Sequence, residues 1–173
     1  MSSKILETMQ IVPVMTPVDL HDAATTGAYV SLANYGSCLC VLLAGDGTGG
    51  SDVAVELFQA VNVAGDQAKV LNALITGRIY TKEHATTLAA VGQWTKATQA
   101  VADEAYAPDD SGEHVLLWAF EVRASDLDQA GGFDCLRMDL TAPGAAKLGA
   151  ALYLLCDPRY AKAPEDMPSA IVD

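Results

Sequence analysis

Short runs of strand-forming residues, separated by turns, dominate this chain and restrict what it can fold into. SCLCVLLA at 37–44 and HVLLWAFEV at 114–122 are strongly apolar, whereas DVAVELFQAV at 52–61 alternates as a half-buried strand does. TLAAVGQWTKATQAV at 87–101 fits either a strand or a short helix. No long amphipathic helix, internal repeat or low-complexity block is found. We predict a mainly β chain that folds as an antiparallel β-sandwich or jelly-roll-like single domain.

The two ends of the chain lack this pattern. Residues 1–26 contain Pro13 and Pro17 and show no sustained period, so we predict an extended N-terminal arm. Residues 158–173 are rich in proline and are predicted to form a C-terminal tail. Residues 27–157 then make one sandwich domain, which suits a chain of 173 residues. Within it, SCLCVLLA is predicted to be a strand that is apolar on both faces, and KLGAALYLLCD at 147–157 a buried strand.

The terminal segments nevertheless contain apolar side chains. In an aperiodic segment these are typical of docking onto another chain, although frayed ends are the usual behaviour of termini. We expect both segments to become ordered in an assembly. The candidate assembly contacts are Ile5, Leu6, Ile11, Val12, Val14, Tyr160, Met167 and Ile171.

A glycine-rich stretch, AGDGTGG at 44–50, has the G-x-G-x-x-G spacing of a dinucleotide site at Gly45, Gly47 and Gly50. Such a site needs a helix directly after the glycines, because the N–H groups of its first turn bind the pyrophosphate. Val53 and Val55 follow instead in strand-like alternation, which is poor helix material. We therefore predict the flexible tip of a β-hairpin. A nucleotide-binding enzyme that uses these glycines is the remote alternative.

The charge balance argues against a nucleic-acid partner. Lys and Arg total 10 against 22 Asp and Glu, a formal net charge of −12, whereas nucleic-acid binding depends on basic residues that neutralise phosphates. Charged residues make up 18% of the chain and hydrophobic residues 51%. Such a composition is typical of a protein that buries part of its surface against other chains, although an alanine-rich monomer would share it.

The sequence predicts neither a membrane partner nor export. No stretch is apolar over the length that a membrane-spanning helix requires. The N-terminal MSSKILETMQIVPVMTP lacks the basic start and unbroken apolar core of a signal peptide. We expect a protein that stays in the cytoplasm until it is used or released.

The cysteines are Cys38, Cys40, Cys135 and Cys156, and they form no C-x-x-C pair. Cys38 and Cys40 are two apart in an apparent strand, so their side chains share a face and are poorly placed to bond. Because cytoplasmic thiols stay reduced, we predict small buried residues without an intrachain disulfide. Disulfides formed after release are the alternative, and Cys156 is the cysteine predicted to reach the surface and another chain.

Residues that could carry catalysis or bind a metal are scattered. His21, His84 and His114 lie in no nucleophile or metal motif. Asp126 and Asp128 bring two carboxylates together in SDLD, but they precede a turn and predict a solvated loop. We predict no catalytic residue, no metal ligand and no cofactor.

Two stretches resemble a known group of proteins. They are VSLANYGSCLCVLLAGDGTGGSDVAVELFQAVNVAG at 30–65 and LWAFEVRASDLDQAGGFDCLRMDLTAPGAAKLGAALYLLCDPRY at 117–160, with PSAIVD at 168–173. The patterns that carry the resemblance are S-x-x-N-Y, R-A-x-D-L-D-x-x-G-G-F-D-C, L-G-x-x-L-Y-x-L and PRY. They are similar to small structural proteins encoded in the virion-morphogenesis regions of tailed bacteriophages.

This resemblance implies a non-enzymatic virion component, made in the cytoplasm of the bacterial host and attached to the capsid exterior. Head decoration (cement) proteins of tailed phages are commonly small, β-rich and trimeric, and they lock neighbouring capsid subunits together. The implied partners are the major capsid protein and further copies of the chain, as a homotrimer or other homo-oligomer. A head–tail connector or tail structural protein is the alternative within the structural class.

Overall fold

Two antiparallel sheets form the fold of the computed structural model, which describes residues 5–21, 26–50, 52–71, 78–82, 92–99, 105–108, 111–160 and 162–172. In chain order the strands of these residues are β1 (Met9–Asp19), β2 (Val30–Ser31), β3 (Tyr35–Ala44), β4 (Ala54–Ala60), β5 (Lys69–Val70), β6 (Ile79–Lys82), β7 (Thr95–Ala97), β8 (Ala105–Tyr106), β9 (Leu116–Arg123), β10 (Cys135–Thr141) and β11 (Leu148–Pro158). Short 3-10 helices cover Ile5–Glu7, Ala124–Asp126, Gln129–Gly131 and Pro164–Asp166. The predicted mainly β, sandwich-like fold is confirmed.

The sheets differ in size. In the described residues the large sheet has the spatial order β1, β11, β3, β9, β6, β7, and the small sheet has the order β2, β10, β4, β5, with β8 also paired to β4. Strands that follow one another in the chain, such as β3 and β4 or β10 and β11, lie in different sheets. The chain therefore crosses repeatedly between two layers.

The hydrophobic core lies between the inner faces of the two sheets. Cys40, Trp118 and Tyr153 from the large sheet and Leu57 and Met138 from the small sheet are each at most 1% exposed. The Met138 N–H donates to the Tyr153 hydroxyl oxygen at 2.7 Å, and that hydroxyl donates to the carbonyl of residue 28 at 3.0 Å. The buried Tyr153 hydroxyl therefore has one donor and one acceptor as partners. It connects the two sheets and is not left as an unpaired polar group in the core.

The N-terminal segment differs from the arm that the sequence pattern indicated. Over Met9–Asp19 it is β1, which pairs along β11 at one edge of the large sheet. The register shifts on either side of Met15, close to Pro13 and Pro17. Proline has no N–H to donate and is tolerated at sheet edges. The two prolines that interrupt the sequence pattern are therefore compatible with a strand here, because β1 is an edge.

The glycine-rich stretch is a crossover between the sheets, so the hairpin prediction is wrong. A hairpin requires β3 and β4 to pair, but β3 pairs with β9 and β11 and β4 pairs with β5, β8 and β10. Placing β3 and β4 in opposite sheets lets their apolar inner rows, which contain Leu42 and Val55, cover each other in the core. The strand predicted after the glycines, in place of a helix, is present as β4.

The C-terminal tail returns to the sandwich. The Ser31 N–H donates to the Ala170 carbonyl at 2.7 Å, and the Tyr35 hydroxyl donates to the Pro168 carbonyl at 2.9 Å. Ala170 is 1% exposed, and Met167 packs against the core. Hydrogen bonds to distant segments hold this tail, which is why no periodicity marks it in the sequence.

Candidate interaction surfaces

The outward side of the large sheet is apolar across much of β1, β11 and β3 and the first part of β9, up to Ala119. Directly opposite residues of antiparallel strands point to the same side of a sheet. Val41 on β3 lies opposite Leu152 on β11 and Ala119 on β9, so the three side chains form one row. We call this surface the outer apolar face and define it by Ile11, Leu39, Val41, Leu43, Leu117, Leu148, Leu152 and Leu154.

This face is open to solvent. Leu43 and Leu148 are 55% and 69% exposed, and Ile11 and Leu152 are 49% and 40% exposed, whereas Leu42, which points inward from β3, is fully buried. Both rows of β3 are apolar, as predicted, but the small sheet covers the inner row alone. The same holds for β11, which the sequence predicted to be a buried strand.

The outward side of the small sheet is built differently. Its outward positions on β4 and β10 include Glu56, Arg137, Asp139 and Thr141. The Arg137 guanidinium lies 4.6 Å from the ring centroid of Phe58, and its Nη2 is 2.7 Å from the Asp139 carboxylate. Polar outward rows are what a solvated sandwich presents to water. The apolar outward side of the large sheet is therefore the feature that needs a functional explanation.

Charged side chains border the outer apolar face on the side of β9 and β6. Arg123 Nε lies 3.4 Å from Glu121 Oε1 on β9, and Lys82 Nζ on β6 lies 4.8 Å from the ring centroid of Trp94. On the opposite side β1 carries no lysine or arginine. The surface thus has an apolar centre and a largely cationic border, in a chain whose net charge is −12.

Exposed apolar residues also collect at one end of the sandwich. The start of β1 lies beside the end of β11, with Met9 opposite Cys156, which places the flanking residues of both strands together. The bond from Tyr35 to Pro168 brings the tail to the same end, since Tyr35 lies opposite Pro158. We call this the terminal end and define it by Ile5, Leu6, Tyr160, Ile171 and Val172, all of them exposed.

The structure leaves some of the predicted assembly contacts exposed to solvent and buries others. Those that are exposed are Ile5, Leu6, Ile11, Tyr160 and Ile171. Val12 and Met167 are partly buried against the core. Val14 is 7% exposed and belongs to the core, so it offers almost no surface to another chain.

Most of the outer apolar face was missed by sequence reasoning, which assigned contacts to the termini alone. The signal that could have found it is the two-sided apolar run of SCLCVLLA. A sandwich strand needs one apolar side for the core, so a second one indicates either another covering layer or an interface.

At the end of the sandwich opposite the terminal end, the buried residue Lys147 connects several loops through hydrogen bonds. Its ammonium donates to the carbonyls of Gly112 at 2.9 Å and His114 at 3.0 Å, and its backbone N–H donates to the Asp19 carboxylate at 3.0 Å. Burial lowers the pKa of the Lys147 ammonium. Neighbouring carboxylates raise it by a smaller amount, and Asp46 contributes most to that increase. These bonds give Lys147, which is 1% exposed, a structural role.

Asp126 and Asp128, predicted to lie in a solvated loop, fix the connection from β9 to β10. The Asp126 carboxylate accepts from the Arg123 N–H at 2.8 Å and pairs with the Arg78 guanidinium. The Asp128 carboxylate accepts from the Lys69 ammonium at 2.6 Å and from the Gly131 N–H at 3.1 Å. Both bonds lower the pKa of the Asp128 carboxyl, and the Lys69 ammonium has a larger effect than the Gly131 N–H.

The cysteines form no disulfide, and three of them are buried, as predicted: Cys38, Cys40 and Cys135. The Sγ atoms of Cys38 and Cys40 lie 4.0 Å apart on the inner side of β3. Burial raises the pKa of the Cys38 thiol well above its usual range and also raises that of Cys156. Cys156 is half-buried and points outward beside the outer apolar face.

Of the three histidines, His21 and His114 lie in the described residues, and neither belongs there to a group placed to hold a metal ion. His21 Nδ1 lies 2.8 Å from the Pro143 carbonyl oxygen, the His114 carbonyl accepts from Lys147, and His84 lies outside the described residues. Within the described part of the chain, no group of three or more His, Cys, Asp or Glu side chains is placed to hold a metal ion. The same part contains no helix with the length and apolar character needed to cross a membrane.

Comparisons with known proteins give a few distant likenesses. No family model matches the chain, and no curated protein matches it. Among solved structures, the SPBc2 prophage-derived protein YomS is similar with a TM-score of 0.38 at 3% identity, over 84% of this chain and 92% of that one. The VP2 subviral particle of infectious bursal disease virus is similar with a TM-score of 0.22 at 6% identity, over 95% of this chain and 44% of that one.

The first of these neighbours is a protein of prophage origin, and the chain spans less than half the length of the second. At such TM-scores neither likeness carries an argument about fold or function.

Proposed function

We propose that this chain is a structural component of a tailed-phage virion: a decoration protein on the capsid exterior that stabilises the head by bridging capsid subunits. The observation that carries the proposal is the outer apolar face. Leu43, Leu148 and Leu152 lie on an open sheet surface, which is unfavourable for a solvated monomer and typical of a protein that works buried against other chains. The motifs that resemble tailed-phage structural proteins point to the virion as the setting.

Segments from both resembling stretches meet at the terminal end. The Leu32 N–H donates to the Asp134 carbonyl at 2.7 Å, and the Arg159 N–H donates to the Asn34 carbonyl at 2.9 Å. The S-x-x-N-Y, G-G-F-D-C and PRY patterns therefore build one region. A cleft of about 310 Å³ lies there, with Leu32, Phe133, Asp134 and Arg159 in its lining. This convergence supports the terminal end as the part of the molecule that contacts the major capsid protein.

The proposed mechanism is mechanical. Each copy buries apolar surface against its neighbours, which is favourable by about 25 cal/mol for each Å² removed from water, before the costs of ordering. Repetition over the shell multiplies this gain and opposes the outward pressure of packaged DNA. The net charge of −12 suits the outside of a shell that holds nucleic acid inside.

The test is a copy-number measurement on purified particles from the host that carries the coding sequence. Quantitative mass spectrometry would compare this chain with the major capsid protein. A copy number on the scale of the capsid subunits supports a decoration protein. A single ring of copies at the neck or tail would favour a connector or tail component instead, and absence from the particles would overturn the virion role.

No enzymatic activity and no cofactor belong to this proposal. The alternative of a nucleotide-binding enzyme would use Gly45, Gly47 and Gly50, which are followed by a strand and therefore lack the helix N-terminus that such sites use. Thermal denaturation with and without NAD or ATP tests it directly. A stabilisation of several degrees by either nucleotide would revive the enzyme hypothesis.

A further inference from the structure

We infer that the outer apolar face pairs with the same face of a second copy of this chain, so that two large sheets pack against each other in a symmetric dimer. The inference rests on the proposed function, which requires contacts between chains, and it names the occupant of this surface. A flat face that binds its own copy closes at two chains around a twofold axis. The terminal end, on another part of the molecule, stays free for the capsid.

The size of the face fits such a pair. Four strands spaced about 4.8 Å apart, each contributing about eight residues of about 3.4 Å, cover about 500 Å². With the polar border included, the surface approaches the roughly 800 Å² per partner of a stable interface. An apolar centre with polar residues at its margin, as on the β9 and β6 side here, is also the usual arrangement of an interface.

The shape of the face fits as well. Sheets that pack face to face lie about 10 Å apart with their strands within about 30° of each other, and their side chains interdigitate. The inner side of the large sheet already packs against the small sheet across the hydrophobic core. The outward rows of the large sheet, such as Val41 beside Leu152, have the same apolar, strand-spaced character. A second copy offers a surface with the matching spacing.

The charges around the face are compatible with the pairing of two copies. Glu121, opposite Leu39, is paired with Arg123. Lys82, Lys96 and Arg123 lie on the side of β6, β7 and β9. A twofold axis running along the strands would place this cationic side over the β1 side of the partner. Since β1 carries no lysine or arginine and ends at Asp19, the two cationic borders would not meet.

Pairing through the β1 edge of the large sheet is disfavoured. Pro13 and Pro17 in β1 lack the N–H that an added strand would need. The register shifts around Met15 make the edge irregular. Prolines and bulges are the means by which proteins protect sheet edges from further strands. The face, and not the β1 edge, is therefore the place for a second copy.

The test is sedimentation equilibrium of the purified full chain over a range of concentrations. The face variant is Leu43→Glu with Leu152→Glu, and the matched control is Ile5→Glu with Ile171→Glu, which adds the same charges at exposed apolar positions of the terminal end. We expect a wild-type dimer, a dissociation constant raised about 100-fold or more in the face variant, and an unchanged one in the control. Circular dichroism would verify that each variant folds.

Several outcomes would overturn the inference: a wild-type monomer at every concentration, a trimer or larger species, a dimer that survives the face variant, or equal weakening by the control. Should the glutamates prevent folding, Leu43→Ser with Leu152→Ser makes the same comparison with a smaller change. The experiment contains no particles, so a monomer would refute the pairing and leave the virion role to the copy-number measurement.

Discussion

Val41 and Leu152 lie directly opposite each other on β3 and β11, and both side chains point away from the core. Their neighbours along the strands, Leu42 and Tyr153, point inward and are fully buried. These two central strands are thus apolar on both sides, but a second sheet covers one side alone.

Two leucines of β11 that face opposite ways should respond very differently to truncation. Leu155 is fully buried, so Leu155→Ala should lower the free energy of unfolding by about 2–5 kcal/mol. Leu152 is 40% exposed, so Leu152→Ala should cost less than about 1 kcal/mol. Urea denaturation in the Leu43→Glu background would measure both without a contribution from self-association. Equal losses would contradict the assignment of the two sides.

The glycine-rich crossover should not tolerate replacement by a hairpin turn. Exchanging residues 45–50 for Asn-Gly should prevent folding, because a two-residue turn joins strands of one sheet and cannot span two sheets about 10 Å apart. Inserting Gly-Ser-Gly after Gly47 is the matched control. It should cost less than about 1 kcal/mol, since loop-closure entropy grows slowly with length. A folded Asn-Gly variant, judged by circular dichroism, would refute the crossover.

Replacing Lys147 by methionine should destabilise the end of the sandwich where three loops meet. The change keeps the length of the side chain but leaves the carbonyls of Gly112 and His114 without this donor. A loss of about 2 kcal/mol or more is expected in chemical denaturation, because buried acceptors without donors are costly. Lys162→Met, at an exposed position of the tail, is the control and should be close to neutral. An equally stable Lys147 variant would show that these bonds contribute little.

The Asp128–Lys69 pair should give the protein a pH-dependent stability. The pKa of the Asp128 carboxyl is lowered in the folded chain, so the unfolded chain binds more protons between the two pKa values. The stabilisation is complete above the ordinary carboxyl range near about pH 4 and is lost as pH falls through the folded value.

Asp128→Asn should therefore have a lower Tm than the wild type at neutral pH, and the difference should shrink below about pH 4. Glu165→Gln, at an exposed position of the tail, is the control and should leave Tm unchanged at both pH values. A difference that stays constant with pH would mean that the ion pair is not its source.

The four thiols should fall into two classes in the native protein. Cys156 is half-buried and should react with Ellman's reagent first, whereas Cys38, Cys40 and Cys135 should react only after denaturation. Cys156→Ser should remove the native reaction. A second rapid thiol would contradict the burial of the inner cysteines, and a disulfide ladder from thiol-blocked particles on a non-reducing gel would show cross-links between chains.

The local patterns of the sequence were sufficient for the class of fold and for several strands. Alternation in DVAVELFQAV and the apolar runs around Cys40, Trp118 and Tyr153 reflect side chains that must enter a core between sheets. They failed at β1, because Pro13 and Pro17 interrupt the strand pattern. A strand can contain these prolines here because β1 lies at an edge of the sheet. The local patterns could not give the partners of Asp126 and Asp128, because Arg78 and Lys69 are far away in the sequence.

The sequence by itself determined that this chain is mainly β, poor in charge and apolar on both sides of its central strands. The reason is that side-chain alternation and composition are local properties of the chain. The tertiary structure alone decided which sheet each strand joins, that Gly45–Gly50 cross between sheets, and which apolar row stays open to solvent. Those outcomes depend on contacts between distant segments, such as Leu152 with Val41, which no local pattern encodes.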